Sequence, residues 1–255
     1  MHARYEYRPE YAFLKPSFEA IRSIFHADTH SIHKARNELK IIEITGIKTV
    51  VKSFKVPHLL NRIVYTRMRR SKAYKSYHNA LRLQELDIST PSPIALIEFF
   101  ESGLLCESYF ISEHFDYDFT IRTPLLEPME EREAIFTAFA AYTYDLHRKG
   151  VWHLDYSPGN ILIKRTENGY LFSIVDINRM EFRSITPMEG CENFNKLWAS
   201  DEELEIMGGE YARLSGLDES IVIAEMKRHN DANKRVKNFK KRLKALLKGE
   251  FPTPV

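Results

Sequence analysis

The sequence predicts an α+β fold in two lobes, and three observations predict it. Segments of strand character crowd the first 115 residues, whereas the last quarter reads almost wholly as helix. A short irregular stretch beginning near residues 114–120 separates the two textures. The chain has 255 residues, 44% hydrophobic and 12% aromatic, enough for one large core or two smaller ones. The expected division is residues 1–115, an antiparallel sheet plus one helix, and residues 116–255, helical with a central hairpin.

Each element has its own signal. Residues 37–54 read as two strands, with Leu39, Ile41, Ile42 and Ile44 before Thr45-Gly46 and Ile47, Val50, Val51 and Phe54 after it. A helix follows over 71–86, with Ser71 as N-cap and Tyr74, Tyr77 and Leu81 recurring at helical spacing. Pro91 and Pro93 forbid its continuation. Two more strands, 94–100 and 107–114, flank Ser102-Gly103. A helix over 130–148 presents Ile135, Phe139, Tyr142 and Leu146 on one face and stops at Gly150. A loop over 152–160 leads to strand 161–164, an Asn168-Gly169 turn and strand 170–177. From about residue 189 onward the chain reads as helix.

Composition excludes several classes. Two cysteines, Cys106 and Cys191, make neither a disulfide framework nor a zinc site, and read as packing thiols in a reducing compartment. The first ten residues lack the apolar run of a signal peptide, and no apolar run approaches the ~20 residues needed to span a bilayer. A soluble cytoplasmic protein is expected. The formal net charge of +2 hides a segregation. Residues 52–75 carry eight cations and no acid; residues 227–248 carry ten cations against Asp231 alone. The remainder is an acidic body, with 19 basic and 34 acidic residues.

The richest segment is HLDYSPGN, residues 153–160. Across the hairpin stands Asp176, in VDINR, residues 175–179. Phosphoryl transfer from a nucleotide needs a carboxylate that orients the acceptor and hard oxygen ligands for Mg2+. Asp155 fits the first role. Asn160 and Asp176 fit the second, because a hairpin returns its two ends to one place. His153 would hold the loop through hydrogen bonds. Ser157 bonds a nucleotide phosphate or shapes the turn at Pro158, and Arg179 contacts acceptor or lies on the surface.

These residues resemble the catalytic loop and metal-binding hairpin of the protein-kinase-like fold. Much of the chain, about residues 37–200, is similar to the lipopolysaccharide core kinases of Kdo/WaaP type, through SKA (71–73), NALRL (79–83), TPSP (90–93), HLDYSPGN and DINR (176–179). The resemblance implies a bilobal kinase with a small β-rich N-lobe and a larger helical C-lobe. It implies ATP and Mg2+ as cofactors, and Lys52, in TVVK (49–52), as the strand-borne lysine on the ATP phosphates. It also implies a Kdo or heptose hydroxyl of the lipopolysaccharide inner core as acceptor. Several positions depart from protein kinases. Residues 33–37 contain no glycine, Ser76 stands where a Glu partner for Lys52 is expected, and no Ala-Pro-Glu follows Asp176-Ile177-Asn178. The missing Ala-Pro-Glu, and Ser157 in place of a lysine, favour a small or glycolipid alcohol over protein. The alternatives are a pseudokinase-like binding module, or a kinase acting on another small molecule or on protein.

The basic zones suit an anionic glycolipid. Arg67, Arg69 and Arg70, before the first-lobe helix, are candidate contacts for acceptor or membrane. Residues 227–248 combine their cations with Val236, Phe239, Leu243, Leu246 and Leu247, the composition of an amphipathic helix on an anionic surface. A peripheral location on the inner face of the inner membrane follows from the resemblance. No aromatic platform or base-reading motif is visible, so no nucleic acid partner is expected.

Overall fold

The computed structural model describes residues 2–29, 31–34, 37–55 and 70–247, without the side chains of residues 32–34, 55, 243, 244, 246 and 247. The chain divides into two compact units: residues 1–116 with 173–179, and residues 117–172 with 180–255. The second unit is thus interrupted by a short segment that joins the first.

In the first unit, six strands form one antiparallel sheet: β1 (His2–Tyr7), β2 (Ser31–Lys34), β3 (Asn37–Ile44), β4 (Ile47–Lys55), β5 (Pro93–Glu101) and β6 (Leu104–Glu113), in the order β1-β5-β6-β4-β3-β2. Both expected tight turns are present. Thr45 and Gly46 have φ of 51° and 79°, and Ser102 and Gly103 have 50° and 75°. Two successive left-handed residues match the twist of the strands they join.

One face of the sheet carries a helix that the sequence reading places, and the other carries helices that it does not. Residues 9–14 form a 3-10 turn, followed by α1 (Lys15–Glu19) and α2 (Ile21–Ala27). Their Tyr11, Leu14, Phe18, Ile21 and Phe25 pack on Ile42, Val51, Ile97 and Ile111. On the opposite face, α3 (Lys72–Glu85) sets Ala73 and Tyr77 against Phe54 and Leu96. Ser71 caps α3 by accepting the Tyr74 N–H at 2.9 Å. Side chains alternate along a strand, so Lys52 shares the α3 face with Phe54. Its Nζ lies 5.3 Å from the Phe54 ring centre.

The second unit is built on a helical core. Strand β7 (Phe119–Thr120) leads into α4 (Arg122–Leu126), followed by α5 (Arg132–Arg148), which buries Ile135, Phe136, Phe139, Ala140, Thr143, Leu146 and His147. Gly150, at φ 73°, ends the α5 segment. Next come β8 (Val151–His153), β9 (Ile161–Thr166), β10 (Gly169–Ile174) and β11 (Met180–Phe182). β7 pairs with β9, which neighbours β10, and β11 pairs with β8, Met180 opposite His153. The expected strand over 170–177 ends earlier, at Ile174, because Asp176 takes a left-handed φ of 55° that no strand accommodates. The chain closes with α6 (Pro187–Gly190), α7 (Asp201–Ser215) and α8 (Glu219–Leu247). A reciprocal Ser200–Glu203 capping box starts α7. Among the described residues no helix is long and apolar enough to cross a membrane.

Candidate active site

The residues singled out by sequence fall into two sets, one in each unit. In the first unit, Lys52 Nζ donates to Asp176 Oδ1 at 2.6 Å. The lysine is nearly buried, with its side chain 11% exposed. Asn178 Nδ2 donates to the same oxygen. Two donors on one carboxylate oxygen, one of them charged, offset the cost of holding an acid in a tight left-handed turn. Asn79, on α3, donates from Nδ2 to the Ile177 carbonyl at 2.6 Å. Thr90 Oγ1 donates to the Ile174 carbonyl at 2.8 Å. The segment carrying Asp176 is therefore stitched to α3 and to the chain after it.

The sequence leaves open which acid would serve Lys52. Ser76 is buried on α3, and Glu85 pairs with Arg82 at 3.1 Å on the surface. Among the described residues, Asp176 is the acid on Lys52.

In the second unit, the loop after β8 is closed by its own atoms. Asp155 N–H donates to His153 Nδ1 at 3.0 Å, and Ser157 N–H to the Asp155 carbonyl at 2.8 Å. Asn160 Nδ2 donates to that same carbonyl at 2.9 Å. The amide nitrogen of Asn160 is thereby committed, and Oδ1 is the atom of that side chain suited to a cation. Asn160 Oδ1 in the second unit and the Asp176 carboxylate in the first are each hard oxygen donors, the class of ligand that Mg2+ takes. His153 is fully buried, and Ser157 is half-buried at the start of a 3-10 turn over residues 158–160.

A buried hydrogen-bond chain holds this loop from behind. Asn193 Nδ2 donates to the His153 carbonyl at 3.0 Å. Its Oδ1 lies 3.2 Å from His147 Nε2, and His147 Nδ1 lies 2.8 Å from the Tyr211 hydroxyl. The proton positions follow. A carbonyl only accepts, so Asn193 turns its amide nitrogen to His153 and its oxygen to His147. His147 therefore carries its proton on Nε2, and Nδ1 accepts from the Tyr211 hydroxyl. Burial pushes the His147 pKa down to about 4, keeping the ring neutral. Tyr156, inside the loop, is also fully buried; it stacks on Phe139 and meets the Thr143 hydroxyl at 3.0 Å.

Sequence reasoning does not find His147, Asn193 or Tyr211. The one available signal is phase: His147 continues the stripe of Phe136, Phe139, Ala140 and Thr143, and is the one titratable residue on it. Of the other residues singled out, Arg70 is exposed with its guanidinium 4.5 Å from the Tyr74 ring centre, and Arg179 is exposed. Arg67 and Arg69 lie outside the described residues, as do Ala35 and Arg36 in the glycine-free segment before β3. Cys191 is buried, its thiol pushed up to about 12, which suits packing and not nucleophilic attack.

Comparison with known proteins adds to this geometry. A family model described as "Lipopolysaccharide kinase (Kdo/WaaP) family" matches residues 51–216, a span containing Lys52, Asp155, Asn160, Asp176 and the whole buried chain. Among curated proteins no match is found. A solved structure of WaaP in complex with acyl carrier protein is similar at TM-score 0.61 and 16% identity, covering 91% of this chain and 99% of that one. A Rio2 kinase–ADP/Mg2+–phosphoaspartate complex from Chaetomium thermophilum matches at TM-score 0.47 and 15% identity, covering 92% and 74%. The fold is α+β and protein-kinase-like, as the sequence predicts.

Proposed function

The chain belongs to the lipopolysaccharide kinase (Kdo/WaaP) family, and from that premise we propose that it transfers the γ-phosphate of ATP to a Kdo or heptose hydroxyl of the lipopolysaccharide inner core. In this reading Asp155 orients the acceptor hydroxyl and takes its proton as the oxygen bonds to the γ-phosphorus and ADP leaves. Lys52 holds the ATP phosphates. Asn160 and Asp176 hold Mg2+, which would neutralise charge on the transferring phosphate. His153 and Ser157 shape the loop. Catalysis of this kind is mainly positioning and charge neutralisation. The unit of residues 1–116 with 173–179 serves as N-lobe and the other as C-lobe.

The observation that carries the reading is the pair of bonds within the HLDYSPGN loop. Asp155 is held through its own N–H and carbonyl, so the backbone that carries its carboxylate has a fixed course. The test is transfer from labelled ATP to a Kdo-containing or heptosylated core acceptor. Asp155→Ala should abolish it, and unchanged transfer would remove Asp155 from its role. A thermal-shift titration with ATP and Mg2+ should show stabilisation that needs both.

A membrane contact through the C-terminal helix completes the proposal. The root of α8 is packed: Val222, Met226 and Asn230 are buried, and Asn230 Nδ2 and Lys234 Nζ both donate to the Ala199 carbonyl. Beyond residue 234 the helix changes. Val236 is 52% and Phe239 67% exposed, among exposed Arg235, Lys237, Lys240, Lys241 and Arg242. Each cation at an anionic leaflet contributes about 1 kcal/mol. This supports a peripheral position on the inner face of the inner membrane. Removing residues 235–255 should abolish flotation with anionic vesicles while sparing the packed root; flotation that survives the truncation would show that this helix is not the anchor.

A further inference from the structure

We infer that Arg122 forms an anion subsite beside the catalytic loop, recognising a carboxylate or phosphate on the acceptor. The inference rests on the kinase reading and deepens it.

Arg122 is the first residue of α4 and is exposed. Most other arginines of this unit are committed to acids. Arg132 holds Glu203, Arg148 holds Asp145, Arg165 holds Glu131, Arg183 holds Glu181 and Glu189, and Arg213 holds Glu210. On a body with so many carboxylates, Arg122 has none within ion-pair distance among the described residues.

Its position is set by the loop itself. Phe119 and Thr120 pair with Ile163 and Leu162, and Ile121 N–H donates to the Ile161 carbonyl at 3.0 Å, one residue after Asn160. Arg132 Nε secures α4 by donating to the Pro124 carbonyl at 2.8 Å. The Arg122 side chain then lies over Gly159, where a Cβ would come 3.1 Å from Nη2. Gly159 does not have the positive φ that demands glycine. Its missing side chain instead leaves room for a guanidinium, between Asp155 and Asn160 in sequence. A guanidinium is a planar fork that binds carboxylate or phosphate through two parallel hydrogen bonds. An acceptor sugar acid such as Kdo carries a carboxylate, and core sugars carry phosphates, so either could meet Arg122 while a hydroxyl reaches Asp155.

The experiment measures KM for the core acceptor and for ATP in the unmutated enzyme, Arg122→Ala and Arg122→Lys. The acceptor KM should rise roughly 10- to 100-fold in Arg122→Ala, the loss of a charge-assisted bond, with the Lys variant recovering part of it. KM for ATP should not follow. Acceptors with the carboxyl reduced to an alcohol, or with core phosphates removed, identify the anion: the acceptor lacking the right group should be poor for the unmutated enzyme and no poorer for Arg122→Ala. An unchanged acceptor KM, or a rise confined to KM for ATP, would overturn the subsite while leaving the kinase reading standing. If the unmutated enzyme phosphorylates no core acceptor, both fall together.

Discussion

The two sets of candidate residues, one in each unit, are held by different physics. In the first unit, Lys52 and Asp176 are held by charge, with a nearly buried ammonium and an amide converging on one carboxylate oxygen. In the second, the Asp155 loop is held by neutral groups: Tyr211, His147 and Asn193 run in sequence to the His153 carbonyl. The difference suits the proposed tasks. Phosphates and a cation need charge where they bind, whereas an acid that orients an acceptor needs a loop of fixed course.

The comparison breaks first where a single charge is removed. Lys52→Met should lower kcat/KM for phosphate transfer on the order of 10²-fold, the scale for losing one preorganised donor to developing charge. A stopped assay with labelled ATP reads it directly, and activity within a few-fold of normal would mean that Lys52 does not serve the phosphates. The neutral half breaks through folding instead. Asn193→Leu strands the His153 carbonyl and the His147 Nε2–H in the interior, each costing roughly 1–3 kcal/mol, so about 3 kcal/mol of stability should be lost. Denaturant unfolding of the variant measures it. A loss below about 1 kcal/mol would mean that the chain is not a support.

What was legible in the sequence follows the same divide. His153, Asp155 and Asn160 could be read because one short loop carries them, and Ser71, Thr45-Gly46 and Ser102-Gly103 because caps and tight turns are local chemistry. The buried chain could not be read: Asn193 and Tyr211 lie 46 and 64 residues from His147, and nothing in their neighbourhoods marks them. The left-handed Asp176 was hidden inside an apolar run that looks like uninterrupted strand. The helices before residue 28 carry no legible signal because they are short and packed by the sheet, not by periodicity of their own.

A milder perturbation separates neutrality from hydrogen bonding. The His147 pKa falls from 6.5 to about 4 on folding, so between those values the unfolded chain binds more protons than the folded one. This contribution is full well above pH 6.5 and drains as pH falls toward 4, by about 3 kcal/mol at the acid end. His147→Gln keeps a donor near the Nε2 position and removes the titration. Its unfolding free energy should fall less steeply over that window than that of the unmutated protein. An identical acid slope would assign the loss to other groups.

The smallest effect tests whether the loop is also held from its core side. Tyr156 offers its hydroxyl to Thr143 at 3.0 Å in a fully buried setting, while its ring stacks on Phe139. Tyr156→Phe keeps the ring and leaves the Thr143 hydroxyl its bond to the Phe139 carbonyl at 2.8 Å. Stability should therefore drop by only about 1 kcal/mol, the net worth of one hydrogen bond. Thr143→Val is the more damaging single change, because it leaves the Tyr156 hydroxyl buried without the partner it now has. Adding Tyr156→Phe to Thr143→Val should then recover part of the loss, since the stranded hydroxyl is removed with it. A double variant as unstable as the sum of the singles would show that the two hydroxyls act separately, and that the loop rests on ring packing and on Asn193 alone.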